Sequence, residues 1–363
     1  MVITLEPGAS TAVITAVERV ASRFPGIAPR THEFQGIGQR LVEVHLVGHT
    51  AEVPVEPFEA IPGVHRVVRV SRRYRLIGRH HGEPERIGFE YNGLRFDDRT
   101  IHLMAGVCAV DTPEHLDEMM AALEREGIQT TRAGAYKPRT SPYDFQGLGA
   151  ECLPWVFEIA GRHGIKCVAM EVTHPRHIDE IRSALDATGR PTGVMLQIGT
   201  RNTQNFELLK TVGAQTEFPV LFKRGMGITL EESLNACEYV ASEGNTKIVF
   251  CLRGVKTALG DPHRNLVDFA HVPVVRRQTR LPVCIDPTHS VGRLDVAPDG
   301  LPDIFHAVGQ GVIAGATIVL VEFHPHPEQA LCDGPQALTL DRLPHLLRYA
   351  RQVRAAYETA VAG

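Results

Sequence analysis

The chain has 363 residues, 43% hydrophobic and 22% charged, which fits a globular protein with one large domain and a small one. A formal charge of -4 gives no electrostatic ground for nucleic acid or an anionic membrane as partner. No N-terminal stretch has the basic-then-apolar form of a signal peptide, and no apolar run is long enough to span a bilayer. The seven cysteines are scattered without a C-x-x-C pair, so the expectation is a cytoplasmic protein without disulfides.

The first seventy residues stand apart. Val2 to Leu5 reads as a strand and Ser10 to Phe24 as an amphipathic helix capped by Ser10 or Thr11. A polar, Gly-rich loop follows, in which Thr31 to Phe34 offers a further strand. Arg40 to Val47 alternates as a half-buried strand does, Val55 to Ile61 has room for a short helix, and Val64 to Val70 is another strand. This rhythm predicts a small ferredoxin-like, ACT-like α+β domain over residues 1–72. The charged run Arg69 to Arg86 reads as linker. Ile87 to Ile101 reads as a hairpin turning at Asn92-Gly93, which puts linker and hairpin at 73–100.

From residue 101 to 363 one unit repeats: an apolar β-branched run, a loop, a helical stretch. Strands are expected at His102–Cys108, Thr130–Ala135, Lys166–Val172, Val194–Gly199, Val220–Lys223, Lys247–Leu252, Val283–Asp286 and Thr317–Phe323. Helical patterns separate them, among them Pro113 to Glu126, Leu266 to Arg277 and Leu340 to Val361. Eight such units predict an α/β fold closed as a (β/α)8 barrel. No G-x-G-x-x-G or Walker sequence opens a helix, which weakens any dinucleotide or nucleoside-triphosphate reading.

Barrel enzymes keep their chemistry at the C-terminal ends of the strands, and the distinctive polar residues fall there. Arg132, Lys137, Arg201, Lys223 and Arg253 would bring five cations to one mouth, which implies a multiply charged anionic substrate. The turn Lys137-Pro138-Arg139-Thr140-Ser141-Pro142 carries cations and hydroxyls on a backbone stiffened by two prolines, a form suited to phosphate or carboxylate. Taken singly, it also reads as an exposed basic turn. A second group, Cys108, His289, Glu322 and Asp333, offers sulfur, nitrogen and oxygen donors. That mixture suits a divalent transition metal (Mn, Fe, Co or Zn) better than Mg or Ca. Taken alone, Cys108 also reads as a buried filler and His289 as a satisfied core histidine.

The segments AGAYKPRTSPYDFQGLG, IGTRNTQNFELLK, PVLFKRGMG, GNTKIVFCLRG, LPVCIDPTHS and VEFHPHPEQALCDG resemble 3-deoxy-D-arabino-heptulosonate 7-phosphate (DAHP) synthases of the short bacterial type I class with an N-terminal ferredoxin-like domain. The resemblance implies condensation of phosphoenolpyruvate with erythrose 4-phosphate at the entry to the shikimate pathway. It implies that Arg132, Lys137, Arg201, Lys223 and Arg253 hold phosphoenolpyruvate, that Arg139, Thr140 and Ser141 receive the aldose phosphate, and that Cys108, His289, Glu322 and Asp333 ligate the metal. Lys137, Lys223 and His289 are the expected catalytic residues, with Lys223 first in line to move the proton. The chain departs from the family pattern AGPCSVE, reading AGVCAVD, so that Asp111 stands at a glutamate position. Leu252 stands where many relatives have Glu, Val291 replaces a Gly, and Cys332 takes a usual Ser position.

Three rivals stay open. The eight-carbon counterpart uses arabinose 5-phosphate, but its acceptor turn carries Asn-Arg-Ser where this chain has Pro138-Arg139-Thr140. A Schiff-base aldolase on Lys137 or Lys223 would leave the other cations and the metal set surplus. A non-catalytic regulatory homologue should have lost a ligand or cation, and none is missing. From the resemblance, the N-terminal domain is expected to bind an aromatic amino acid or to complete an interface between copies of the chain, in a homodimer or homotetramer. The loop from Arg30 to Gly38, with His32, Phe34 and Gln35, is its candidate pocket.

Overall fold

In this computed structural model, residues 1–36, 39–50, 52–69, 74–80 and 88–362 are described, with backbone alone for 34–36 and 39–41. The chain divides into two compact units, Met1–Pro84 and Glu85–Gly363.

The first unit runs β1 (Val2–Leu5), α1 (Thr11–Ala21), β2 (Ala28–Gly36), β3 (Gln39–Val47), α2 (Glu56–Glu59) and β4 (Val64–Val68). Its sheet has the order β2-β3-β1-β4 with every neighbouring pair antiparallel, the ferredoxin-like topology that the rhythm predicts. Alternation in β3 sends Val42, Val44 and Leu46 into a core with Ile3, Leu5, Val17 and Phe58. On the other face, His45 bonds to Glu43 at 2.8 Å and its ring lies 4.3 Å from that of His32. The further strand offered at Thr31 to Phe34 is present and longer, so the candidate pocket loop from Arg30 is strand as far as Gly36, in continuous register with β3 from Arg30↔His45 to Gly36↔Gln39. Ile37 and Gly38, the Phe34 and Gln35 side chains, and most of the expected linker lie outside the described residues.

The second unit opens with a hairpin, β5 (Gly88–Tyr91) and β6 (Leu94–Asp97), closed at Asn92 (φ 46°) and Gly93 (φ 77°), the two left-handed residues a type I′ turn requires. Phe96 is fully buried against the barrel interior, and Tyr91 Oη accepts the Val194 N–H at 3.0 Å at the start of a barrel strand. The hairpin thereby plugs the N-terminal end of the barrel and leaves the opposite end open.

The barrel strands are β7 (His102–Val107), β8 (Thr130–Ala133), β9 (Cys167–Val172), β10 (Val194–Ile198), β11 (Val220–Lys223), β12 (Ile248–Leu252), β13 (Val283–Ile285) and β14 (Ile318–Glu322). They pair in parallel and close, β14 against β7, in the expected (β/α)8 arrangement. Being covered on both faces, all but β8 read as near-continuous apolar runs. The helices are α3 (Pro113–Arg125), α4 (Leu153–Arg162), α5 (Arg176–Ala187), α6 (Phe206–Ala214), α7 (Leu230–Ser242), α8 (Val272–Gln278), α9 (Pro287–Val291), α10 (Asp303–Ile313) and α11 (Leu343–Ala362). No helix among the described residues is long and apolar enough to cross a membrane. All seven cysteines are free and buried.

One helix expectation is corrected. Leu266 to Asp268 is not helical, because Leu266 pairs with Val255 across the strand end; a 3-10 turn at Phe269–His271 then leads into α8 beside Pro273. Asn265 and Asp268 are held there: Asn265 Nδ2 donates to the His289 carbonyl at 2.6 Å, and Asp268 accepts from Gly254 N–H and from Arg224, both at 2.8 Å.

Candidate active site

A cavity of about 470 Å³ opens at the C-terminal ends of the strands. Its lining includes Cys108, Lys137, Arg139, Thr140, Arg201, Lys223, Arg253, His289 and Asp333, which come from six different strand ends and the loop after β14.

The Asp286-Pro-Thr-His289 segment, at the end of β13, folds as the single-turn helix α9. Asp286 caps it by accepting the His289 N–H at 3.0 Å, and Gly292 stops it at φ 80°. The same carboxylate lies 2.9 Å from His289 Nδ1, so Nε2 faces the cavity. There it stands 3.9 Å from Cys108 Sγ and 3.6 Å from Asp333. One ligand atom from each of these three residues lies within 4.8 Å of the others. Asp333 holds a left-handed conformation, φ 58°, unusual outside glycine and tolerated best by Asp and Asn.

Charges around this triple are arranged by burial and pairing. A hydrogen bond from Cys332 holds the Cys108 thiol well below its ordinary pKa; burial opposes this, and Lys137 and Arg132 reinforce it. Burial disfavours the Lys137 ammonium, but Cys108 and Asp333, the latter 2.6 Å away, outweigh it and raise its pKa. Asp286, with no exposure, is likewise kept ionised against burial by His289 and by Lys223 at 2.7 Å. The Asp286 charge in turn raises the His289 pKa against burial. A thiolate, an imidazole steadied by a carboxylate and a second carboxylate form a donor set that fits a divalent transition metal.

The five cations do not play one part. Lys137 and Lys223 are neutralised within the fold, whereas Arg201 and Arg253 have no carboxylate within ion-pair distance among the described residues. Arg201 donates to Thr140 Oγ1 at 3.2 Å, and the buried Arg253 leaves its Nε without a partner. Such buried unmet donors are what an anionic ligand would satisfy. Arg132 does not line the cavity: it is 2% exposed and ion-paired with Glu322, the counter-charge its burial demands. Glu322 also stands outside the close triple, its Oε1 accepting the Cys108 N–H at 2.7 Å. Ser141 turns away and accepts the Tyr143 N–H at 3.3 Å, while Arg139 pairs with Asp144 at 3.2 Å.

Two further residues belong to the site. Glu171, the lone acid of an apolar strand, lines the cavity, accepts from Gln197 at 3.0 Å and has its pKa raised by burial. Its approach explains Gly199, where a Cβ would collide with the Glu171 carboxylate. Asp286 orients both Lys223 and His289; its position inside D-P-T-H was the only signal in the sequence.

Fold and site together define a (β/α)8-barrel enzyme whose active site gathers cations beside a potential metal centre. The chain belongs to the DAHP synthetase I family, whose sequence profile matches residues 87–359. It is 34% identical to a phospho-2-dehydro-3-deoxyheptonate aldolase of Thermotoga maritima over 98% of both chains. A 2-dehydro-3-deoxyphosphooctonate aldolase of Legionella pneumophila is 27% identical and matches 72% of this chain and 94% of its own. Among solved structures, a Thermotoga maritima DAHP synthase superposes with a TM-score of 0.71 at 34% identity, covering 98% of this chain and 97% of its own. A truncated form of that organism's 3-deoxy-D-arabino-heptulosonate 7-phosphate synthase gives 0.67 at 32% identity, covering 78% and 97%.

Proposed function

We propose that the protein is a 3-deoxy-7-phosphoheptulonate synthase, condensing phosphoenolpyruvate with erythrose 4-phosphate and water to give the seven-carbon keto-acid phosphate and inorganic phosphate. The observation that carries this reading is the cavity itself, where Cys108, His289 and Asp333 sit beside Arg201 and Arg253, cations with no acid partner among the described residues. The end-to-end match to a heptonate aldolase, against the shorter match to octonate aldolases, favours the four-carbon acceptor.

In this reading Arg201 and Arg253 supply the unpaired charge that holds phosphoenolpyruvate, Lys137 and Lys223 add donors although each is paired with an acid, and Arg139 with Thr140 receives the aldose phosphate. Cys108, His289 and Asp333 would hold a divalent transition ion, with Glu322, bonded to the Cys108 N–H, as the fourth candidate ligand. When bound, that ion supplies Lewis-acid polarisation of a carbonyl oxygen. C3 of phosphoenolpyruvate attacks the aldehyde carbon of the acceptor, and water adds at C2 as positive charge develops there. The resulting phosphohemiketal loses phosphate by C–O cleavage. Lys223, held by Asp286 at 2.7 Å, donates the proton to the new alkoxide and regains one from the water that adds at C2, whose other proton leaves with the phosphate. Fixing both substrates in one cavity supplies up to ~7–11 kcal/mol of the barrier reduction.

The test is a phosphate-release assay with phosphoenolpyruvate and a panel of aldose phosphates, before and after chelation. Release with erythrose 4-phosphate, lost in chelator and restored by Mn(II), is expected. Release with arabinose 5-phosphate alone would assign the eight-carbon reaction, and no release with any acceptor would refute the reading. The N-terminal unit is read as a sensor for an aromatic amino acid, on the strength of its ferredoxin-like sheet.

A further inference from the structure

Beyond the ligand triple, a hydrogen-bonded trio joins the ends of β7 and β14. Asp111 lies three residues past Cys108, and His324 two past Glu322. Asp111 Oδ2 accepts from His324 Nε2 at 2.9 Å and from His115 Nδ1 at 3.0 Å, while Oδ1 accepts the Thr112 N–H at 2.7 Å. The Asp111 and His324 side chains are 5% and 3% exposed, so these bonds are shielded from water.

The spacing of the three side chains resembles a second metal set. The hydrogen bonding argues otherwise. His324 Nδ1 accepts the backbone N–H of His326 at 3.0 Å, and a backbone N–H can only donate. The ring proton of the neutral imidazole therefore sits on Nε2 and points at Asp111. With one nitrogen protonated and the other engaged, His324 has no lone pair left for a cation. The trio is a strut.

What the strut joins is specific. β14 and β7 stay in parallel register as far as Glu322↔Gly106, and the Phe323 N–H still reaches the Gly106 carbonyl at 3.1 Å. Beyond that the two chains turn to other partners, His324 N–H to Leu338 and Val110 N–H to Gly134. Asp111–His324 is a side-chain bond that brings them back together just past Cys108 and Glu322. We propose that Asp111 and His324 are positioning residues, fixing the separation of the Cys108 thiolate and the Glu322 carboxylate and so setting metal affinity. The inference rests on the metal reading given above.

The experiment measures Mn(II) and Zn(II) binding to the metal-free, full-length protein by competition with a chelating dye, alongside thermal unfolding. D111A and H324A should bind ~10–100-fold more weakly, the usual cost of losing a hydrogen-bonded support behind metal ligands. H324Q, whose amide N–H can reach the same carboxylate, and D111E, which restores the family's acid, should each recover most of that loss. Alanine variants that bind metal within twofold of wild type while melting earlier would overturn the proposal, showing the trio to be structural only. Failure of H324Q to improve on H324A would overturn it too, since ring packing rather than the hydrogen bond would then matter. If the alanine variants do not fold, D111N decides by the same tenfold criterion, because its amide cannot accept all three N–H groups. A wild-type protein that binds neither ion would instead refute the underlying metal reading.

Discussion

Asp286→Asn tests the electrostatic frame of the site most directly. Asp286 has no exposure and Lys223 is nearly as buried, with 2.7 Å between Nζ and Oδ2. At an effective dielectric of about 20 that separation corresponds to roughly 6 kcal/mol of gross attraction, most of which repays the desolvation of the two charges. Removing one partner alone leaves the other charge buried without its counterpart, at about 3–5 kcal/mol. Asp286→Asn and Lys223→Met should each destabilise the barrel by that amount. The double variant buries neither charge, so it should be less destabilised than the sum by at least about 1.5 kcal/mol. Urea unfolding of the metal-free protein, followed by circular dichroism and the fluorescence of its single tryptophan, Trp155, gives the four free energies. Additivity within about 0.5 kcal/mol would show that the two groups do not interact, and the account of Lys223 would fall with it.

Cys108→Ala or His289→Ala should lower metal content and activity together with the fold intact; unchanged stoichiometry and full activity would refute the ligand assignment. Arg139→Ala should raise KM for the aldose phosphate about tenfold or more while leaving that for phosphoenolpyruvate within about twofold, and equal effects would mean the two anions are misplaced. His177 stacks on Tyr136 at 3.6 Å, and burial there lowers its pKa to about 4. Because the unfolded chain binds that proton from about pH 6.5 downwards, stability should fall between pH 6.5 and 4. His177→Gln should remove about 1 kcal/mol or more of that loss, and identical pH–stability curves would show that His177 does not contribute. Tyrosine, phenylalanine and tryptophan should be titrated against the full chain and a chain starting at His80. An active, insensitive truncated chain supports the sensor, and a full-length enzyme indifferent to all three leaves that unit a structural role.

Much was legible without coordinates, for physical reasons that are local. A strand covered on both faces must be apolar along its length, and a helix between two such strands must show a 3.6-residue stripe, so eight repeats of that alternation specify the closed barrel and its order. Asn92-Gly93 fixed its hairpin because two successive positive φ angles leave few other residues acceptable. The loop chemistry was legible as residue types collected at strand ends, which is how Cys108, Lys137, His289 and Asp333 were found. Tertiary structure alone decided which charges face substrate and which face one another. Arg132 and Arg253 look alike in sequence, each a cation in or just after an expected strand, yet Arg132 is matched by Glu322 and Arg253 by no acid among the described residues. The same holds for Asp111 and His324, 213 residues apart and joined by one hydrogen bond. Pairings of this kind depend on which strand ends closure of the barrel makes neighbours, and sequence spacing carries no trace of that distance.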